Sequence, residues 1–205
     1  MSEIDDGVIK YERHFTPSAP LEPDEYSTLE KWRKKLFQLK LIGEYPKVCI
    51  GYGNLSQKVR SSGLIEFIIT ATQTGKFADL TGEHYTLVEG YDFEKNLIKA
   101  KGVLDASSEA LTHASIYECS KDINVVFHIH DKEIWTKMLE QNFESTPPDV
   151  PYGTIEMVKA VRELIKGRSS GVFAMAGHED GIVSWAKSHD EAGELILDLV
   201  KELRS

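Results

Sequence analysis

The apolar positions along the chain follow two periods, one of about 3.6 residues and one of two. Leu29, Trp32, Leu36 and Leu39 recur at helical spacing and Gly43 follows as a candidate C-cap, which predicts a first helix from Asp24. Three β-like runs at 47–59, 64–71 and 85–91, each bounded by Gly, Ser or Thr, predict strands joined by hairpins. Ser107 is a candidate cap for a helix running to about Ser120. The β-branched and aromatic run 123–130 reads as a strand, and 132–141 as a helix. A Pro-rich loop at 147–153 precedes a helix over 154–166 and short strands over 171–176 and 182–186. Ser188 with Glu191 makes a capping-box signature that opens an amphipathic helix through Leu195, Leu199 and Leu203 to the end. The first 23 residues carry Pro17, Pro20 and Pro23, scattered charge and no period, and read as an N-terminal arm ahead of one domain over 24–205. The sum is a three-layer αβα domain of α/β class, with helices on both faces of a central, largely antiparallel or mixed sheet.

Composition narrows the function. At 205 residues, with 41% apolar and 28% charged side chains, the chain is a globular domain able to bury a sizeable core. A net charge of -9 argues against nucleic acid, which needs clustered cations to displace its counterions. The one dense basic run, Lys31 to Lys35, is interrupted by Trp32 and followed by Leu36 at helical spacing, so its lysines read as the solvated face of a helix. Cys49 and Cys119 are too few for a disulfide framework, no apolar region follows a basic start, and no stretch approaches the ~20 apolar residues of a membrane span. A cytoplasmic protein without a membrane partner is expected.

The strongest chemical signal is Phe127-His128-Ile129-His130, because residues two apart on a strand share a face and so bring two imidazoles together. Alone, the pair divides about evenly between metal binding and polar packing, and a third ligand would decide it. Of the other histidines, His14 lies in the arm, His84 in a turn-like Gly82-Glu83-His84 segment, and His189 in the exposed first turn of the last helix. His178 follows a strand inside the turn Gly177-His178-Glu179-Asp180-Gly181, where the backbone can approach a ligand closely, and is the preferred third ligand. Glu109 and His113 stand four apart on one helix face and either could reach a metal, although Glu109 could instead complement the helix dipole; His113 reads as a core histidine.

Gly53-Asn54-Leu55-Ser56, Ile69-Thr70 with Thr74-Gly75, Ser107-Ser108-Glu109 with His113 and Tyr117, His128-x-His130, Gly153-Thr154-x-Glu156, and His178 with Gly181 resemble, in order and in most spacings, the class II aldolase/adducin family. The resemblance runs from about Trp32 to the last helix. It implies that His128, His130 and His178 bind Zn2+ or another divalent ion, that Glu109 is the acid/base group, and that Asn54, Thr74, Gly75, Ser107 and Ser108 hold a substrate phosphate. Hydroxyls and N–H groups at turns and helix starts can do this without a basic residue. It further implies a homotetramer and a zinc-dependent lyase cleaving a small sugar phosphate or related hydroxy-carbonyl compound through a metal-stabilised enediolate. A dehydratase, isomerase or decarboxylase, and the non-catalytic adducin branch, are the alternatives.

The sequence departs from the family pattern in three places. The stretch Thr70-Ala71-Thr72-Gln73-Thr74-Gly75 is longer than the family's Thr-Pro-Ser/Thr-Gly. The family's proton-donating tyrosine has no clear counterpart between His130 and Gly153. The usual His-Gly is His178-Glu179-Asp180-Gly181, and the tyrosine-bearing tail of the aldolases is missing.

Overall fold

The computed structural model describes residues 7–59 and 63–204, so residues 1–6 of the expected arm and Ser205 of the last helix lie outside it. In chain order the elements are β1 (Glu12–Pro17), α1 (Pro23–Gln38), β2 (Gly43–Tyr45), β3 (Ile50–Tyr52), β4 (Asn54–Val59), β5 (Glu66–Thr70), β6 (Tyr85–Asp92) and β7 (Leu97–Gly102), then α2 (Ala110–Cys119), β8 (Val125–His130), α3 (Lys132–Glu140), α4 (Ile155–Ile165), β9 (Gly171–Ala174), β10 (Gly181–Ala186) and α5 (His189–Leu203). Eight strands form one sheet in the order β1-β7-β6-β5-β4-β8-β10-β9, and β2 pairs β3 in a separate hairpin. Every pair in the large sheet is antiparallel except β1 with β7.

Strand alternation divides the apolar residues between two cores. Val126, Phe67, Ile69, Val88 and Val183 face the layer of α2 and α4, while Val125, Phe127, Ile129, Leu55 and Ile68 face the layer of α1, α3 and α5. Strand β8 is buried along its whole length and lies between β4 and β10, so its sequence is a continuous apolar run up to the two histidines. Burying each of its large apolar side chains contributes about 1.5–3 kcal/mol. This is the expected αβα sandwich, with a largely antiparallel sheet.

Several element boundaries differ from those the sequence suggests. Helix α1 stops at Gln38 rather than near Gly43, because Lys40 takes a left-handed φ of 61° and the buried Leu41 and Ile42 turn the chain back into the core. Gly43 then starts β2. The run 47–59 is broken at Gly53, whose φ of +77° favours glycine, into β3 and β4. Ser107 does not cap α2, which begins at Ala110; its Oγ instead accepts from the Glu109 N–H at 3.3 Å. Ser188 does cap α5 by accepting from the Glu191 N–H at 3.2 Å, while the Glu191 carboxylate bonds the Lys187 N–H rather than closing the box on Ser188. The expected arm contains β1, and Tyr11 just before it is buried in the core. Arg33, inside the basic run, is buried, whereas Lys31, Lys34 and Lys35 are exposed. Among the described residues no helix is long and apolar enough to cross a membrane.

Candidate metal centre

His128 and His130 end β8 on the face shared with Val126, and their Nε2 atoms lie 3.0 Å apart. His178 comes from the turn between β9 and β10, where Met175 N–H donates to the Gly181 carbonyl and His178 N–H to the Met175 carbonyl. This turn is held against the start of α3 by the Asp131 N–H to Asp180 carbonyl bond of 3.0 Å. The inserted Glu179-Asp180 pair is thus absorbed by a tight turn, with Asp180 at a φ of 67°, and His178 still reaches the other two rings. Its ring centroid is 5.2 Å from that of His128 and 4.8 Å from that of His130.

The surroundings orient these rings. His128 Nδ1 lies 3.2 Å from the Ile182 carbonyl, a contact that orients the ring with Nε2 toward His130. His130 Nδ1 lies 2.9 Å from the Tyr45 hydroxyl on the β2–β3 hairpin. The Tyr152 ring packs on His178 in a tilted arrangement, 4.6 Å between centroids, and the Lys10 ammonium sits 3.8 Å over that tyrosine. Burial, followed by the charges of His128 and His178, pushes His130 well below its usual range, so this imidazole is neutral and able to ligate.

Glu109 ends the turn into α2, buried, with Oε1 3.1 Å from His178 Nδ1. Neither of its oxygens has a well-aligned hydrogen-bond partner. Burial works to raise its carboxyl, yet the proximity and charge of His178 and the charge of His128 outweigh that and hold it at about 2. Glu109 is therefore a carboxylate at neutral pH. His113, one turn further along α2, faces away: its Nδ1 lies 2.6 Å from Ser56 Oγ, which lies 2.6 Å from the Tyr117 hydroxyl. It is a core histidine.

The nine residues expected at the site line one cleft: Asn54, Thr74, Gly75, Ser107, Ser108, Glu109, His128, His130 and His178. Strand register places Asn54 directly opposite His128. Asn54 Oδ1 is buried and unpartnered. The sequence did not point to Tyr52 and Gln73, which also line the cleft, or to Tyr45 behind His130. Gln73 takes a φ of 58° and accepts the Gly51 N–H at 2.8 Å, closing the lengthened loop against β3. His14, His84 and His189 lie elsewhere, paired with Glu12, Thr81 and Gln57 respectively.

The donor set fits a divalent ion. One ring nitrogen from each of His128, His130 and His178 lies within 4.8 Å of the others, all three residues are buried, and the Glu109 carboxylate stands beside them. Three histidines with a carboxylate beside them are a donor set that suits a divalent ion.

Residues 40–204 match the model of the family described as Class II Aldolase and Adducin N-terminal domain. A search of curated proteins finds no match. Among solved structures, the L-fuculose-1-phosphate aldolase of Thermus thermophilus is 19% identical, with 88% of this chain and 91% of that chain covered at a TM-score of 0.63. The sugar-phosphate aldolase of Thermotoga maritima is 16% identical, over 87% and 91%, at 0.64. YgbL of Klebsiella pneumoniae, whose assignment is left open among aldolase, epimerase and decarboxylase, is 17% identical, over 87% and 86%, at 0.65. At these identities the likeness is one of fold.

Proposed function

The chain belongs to the class II aldolase/adducin family, and from that premise we propose that it is a metal-dependent lyase of the aldol-cleavage type, acting on a small phosphorylated hydroxy-carbonyl compound. The observation that carries this reading is the convergence of three buried imidazoles and the buried Glu109 carboxylate on one cleft.

In this reading His128, His130 and His178 would hold Zn2+. The ion would supply Lewis-acid polarisation of a substrate carbonyl. Asn54, Thr74, Gly75, Ser107 and Ser108 line the same cleft and hold the phosphate through hydroxyls and N–H groups, which keeps the reacting carbon beside Glu109. Glu109, already ionised, exchanges a proton with the carbon next to the carbonyl. In the cleavage direction Glu109 takes the proton of the hydroxyl one carbon further out, and the bond between that carbon and the carbon next to the carbonyl breaks with its electron pair staying on the carbonyl fragment. The outer carbon leaves as an aldehyde, and the Glu109 carboxyl delivers the proton to the carbon next to the carbonyl.

The test is a panel of ketose and aldose phosphates assayed with and without chelator, on wild type and Glu109→Gln, with metal content measured in parallel. Cleavage that chelator abolishes, and that Glu109→Gln lowers about 10²- to 10⁴-fold at unchanged metal content, supports the assignment. Turnover of the variant close to wild type removes Glu109 from its role. Isomerised, dehydrated or decarboxylated products would move the protein to another activity of the family. Protein that takes up no divalent ion on titration would exclude the enzyme reading.

A further inference from the structure

Arg33 stands outside the matched family segment and outside the cleft, yet it is the only buried Lys or Arg among the described residues. From the third turn of α1 its Nε donates to Glu30 Oε2 at 2.8 Å and its Nη2 to Glu30 Oε1 at 3.2 Å. Its Nη1 donates to the Phe77 carbonyl at 2.8 Å, and Nη2 also donates to the Ala78 carbonyl. Glu30 completes the arrangement by accepting the Leu80 N–H at 3.0 Å and the Tyr85 hydroxyl at 2.6 Å. One helix turn therefore holds backbone groups of residues 77, 78 and 80, immediately after Thr74-Gly75.

The connection runs straight into the cleft wall. Phe77 N–H donates to the Thr74 carbonyl, and Thr74 Oγ1 donates to the Ala71 carbonyl at 2.7 Å. On the other side Gly75 presses on β2 so closely that a Cβ there would lie 2.1 Å from the Gly43 carbonyl oxygen. Behind that wall Arg33 and the residues Asn54, Thr70, Thr74 and Gly75 come together around a gap too tight to admit a water molecule. A buried ion pair is a weak device for stability, because desolvating two charges cancels most of their attraction. What a planar guanidinium does supply is several directed bonds from one rigid group.

We propose that Arg33 is the positioning residue for the anion-holding loop, fixing Thr74 and Gly75 where a substrate phosphate docks. The inference rests on the reading of that cleft wall as a phosphate site. It assigns to α1 a part in substrate affinity that is separate from the metal ligands, which lie on other elements.

The experiment titrates inorganic phosphate by calorimetry into wild type, Arg33→Lys and the double variant Arg33→Met/Glu30→Gln, all at equal metal loading. The lysine keeps the charge and loses the fork; the double variant leaves no unpaired buried charge, and carries the test if the lysine variant fails to fold. The expected result is folded protein with wild-type metal content and phosphate affinity reduced at least tenfold in both variants. Folded variants that bind phosphate within twofold of wild type overturn the assignment of Arg33 alone. Equal losses of metal and phosphate would show a general disturbance and also overturn it. Wild type that binds no phosphate overturns the phosphate reading of the cleft, and this inference with it.

Discussion

Acidification should destabilise this protein through His113 as the pH falls below 6.5. His113 is fully enclosed between α2 and β4, its Nδ1 bonded to Ser56 Oγ. Burial, reinforced by the charge of His128 and opposed by that of Glu109, lowers it from 6.5 to about 3. Between those values the unfolded chain binds a proton that the folded chain refuses, so stability rises with pH across the window and falls as pH drops below 6.5. The slope is about 1.4 kcal/mol per pH unit, and at pH 5 the accumulated loss is about 2 kcal/mol from this one side chain. Urea unfolding of wild type and His113→Gln at half-unit steps from about pH 8 to pH 5 measures it. The substituted side chain offers Ser56 an amide in place of the ring, so the variant is less stable at about pH 8 by about 1–3 kcal/mol. Its pH dependence should be shallower by close to one proton. His130, also lowered by burial, contributes equally to both proteins and cancels in the comparison. Parallel pH profiles for the two proteins would refute the reasoning.

Three further outcomes follow from single contacts. Tyr45→Phe removes the hydroxyl 2.9 Å from His130 Nδ1 and should weaken zinc binding about 10- to 100-fold in a competition titration, with thermal stability little changed; unaltered affinity would show that the hydroxyl does not orient the ring. Gly75→Ala would place a methyl 2.1 Å from the Gly43 carbonyl oxygen, so chemical denaturation should report a loss of about 1–3 kcal/mol, together with weaker phosphate binding. Ser188→Ala removes the side-chain acceptor of the Glu191 N–H and should cost about 1 kcal/mol, read as a lower urea midpoint with no effect on metal content.

The parts of this structure that were legible in the sequence are those set by local rules. The period-two pattern of β8 put His128 and His130 on one face, and the Ser188 cap marked the start of α5. What the sequence concealed depends on partners far along the chain. Strand β1 ends at a proline and carries a single large apolar residue, Phe15; only its pairing with β7 makes it a strand. Tyr45 meets His130 across 85 positions, and nothing local to a Gly-Glu-Tyr segment announces that contact. Arg33 sits in a basic run whose lysines do face solvent, so composition alone hides that its guanidinium is enclosed by Glu30 and the carbonyls of residues 77 and 78. The end of α1 falls short of Gly43 for the same reason, because burial of Leu41 and Ile42 overrides the local signal of that glycine.

The position of His128 and His130 on a strand hydrogen-bonded along both edges, by β4 and β10, has a thermodynamic consequence. In a small zinc finger the metal organises the chain, and its binding energy is folding energy. Here His128 and His130 stand on an interior strand of an eight-stranded sheet that its own two apolar cores already hold together, so the platform for the proposed ion exists without it. Stripping the metal should therefore leave a folded protein in which the amides of β8 are among the last to exchange with deuterium. Reloading should then be a simple docking event, reversible at constant fold.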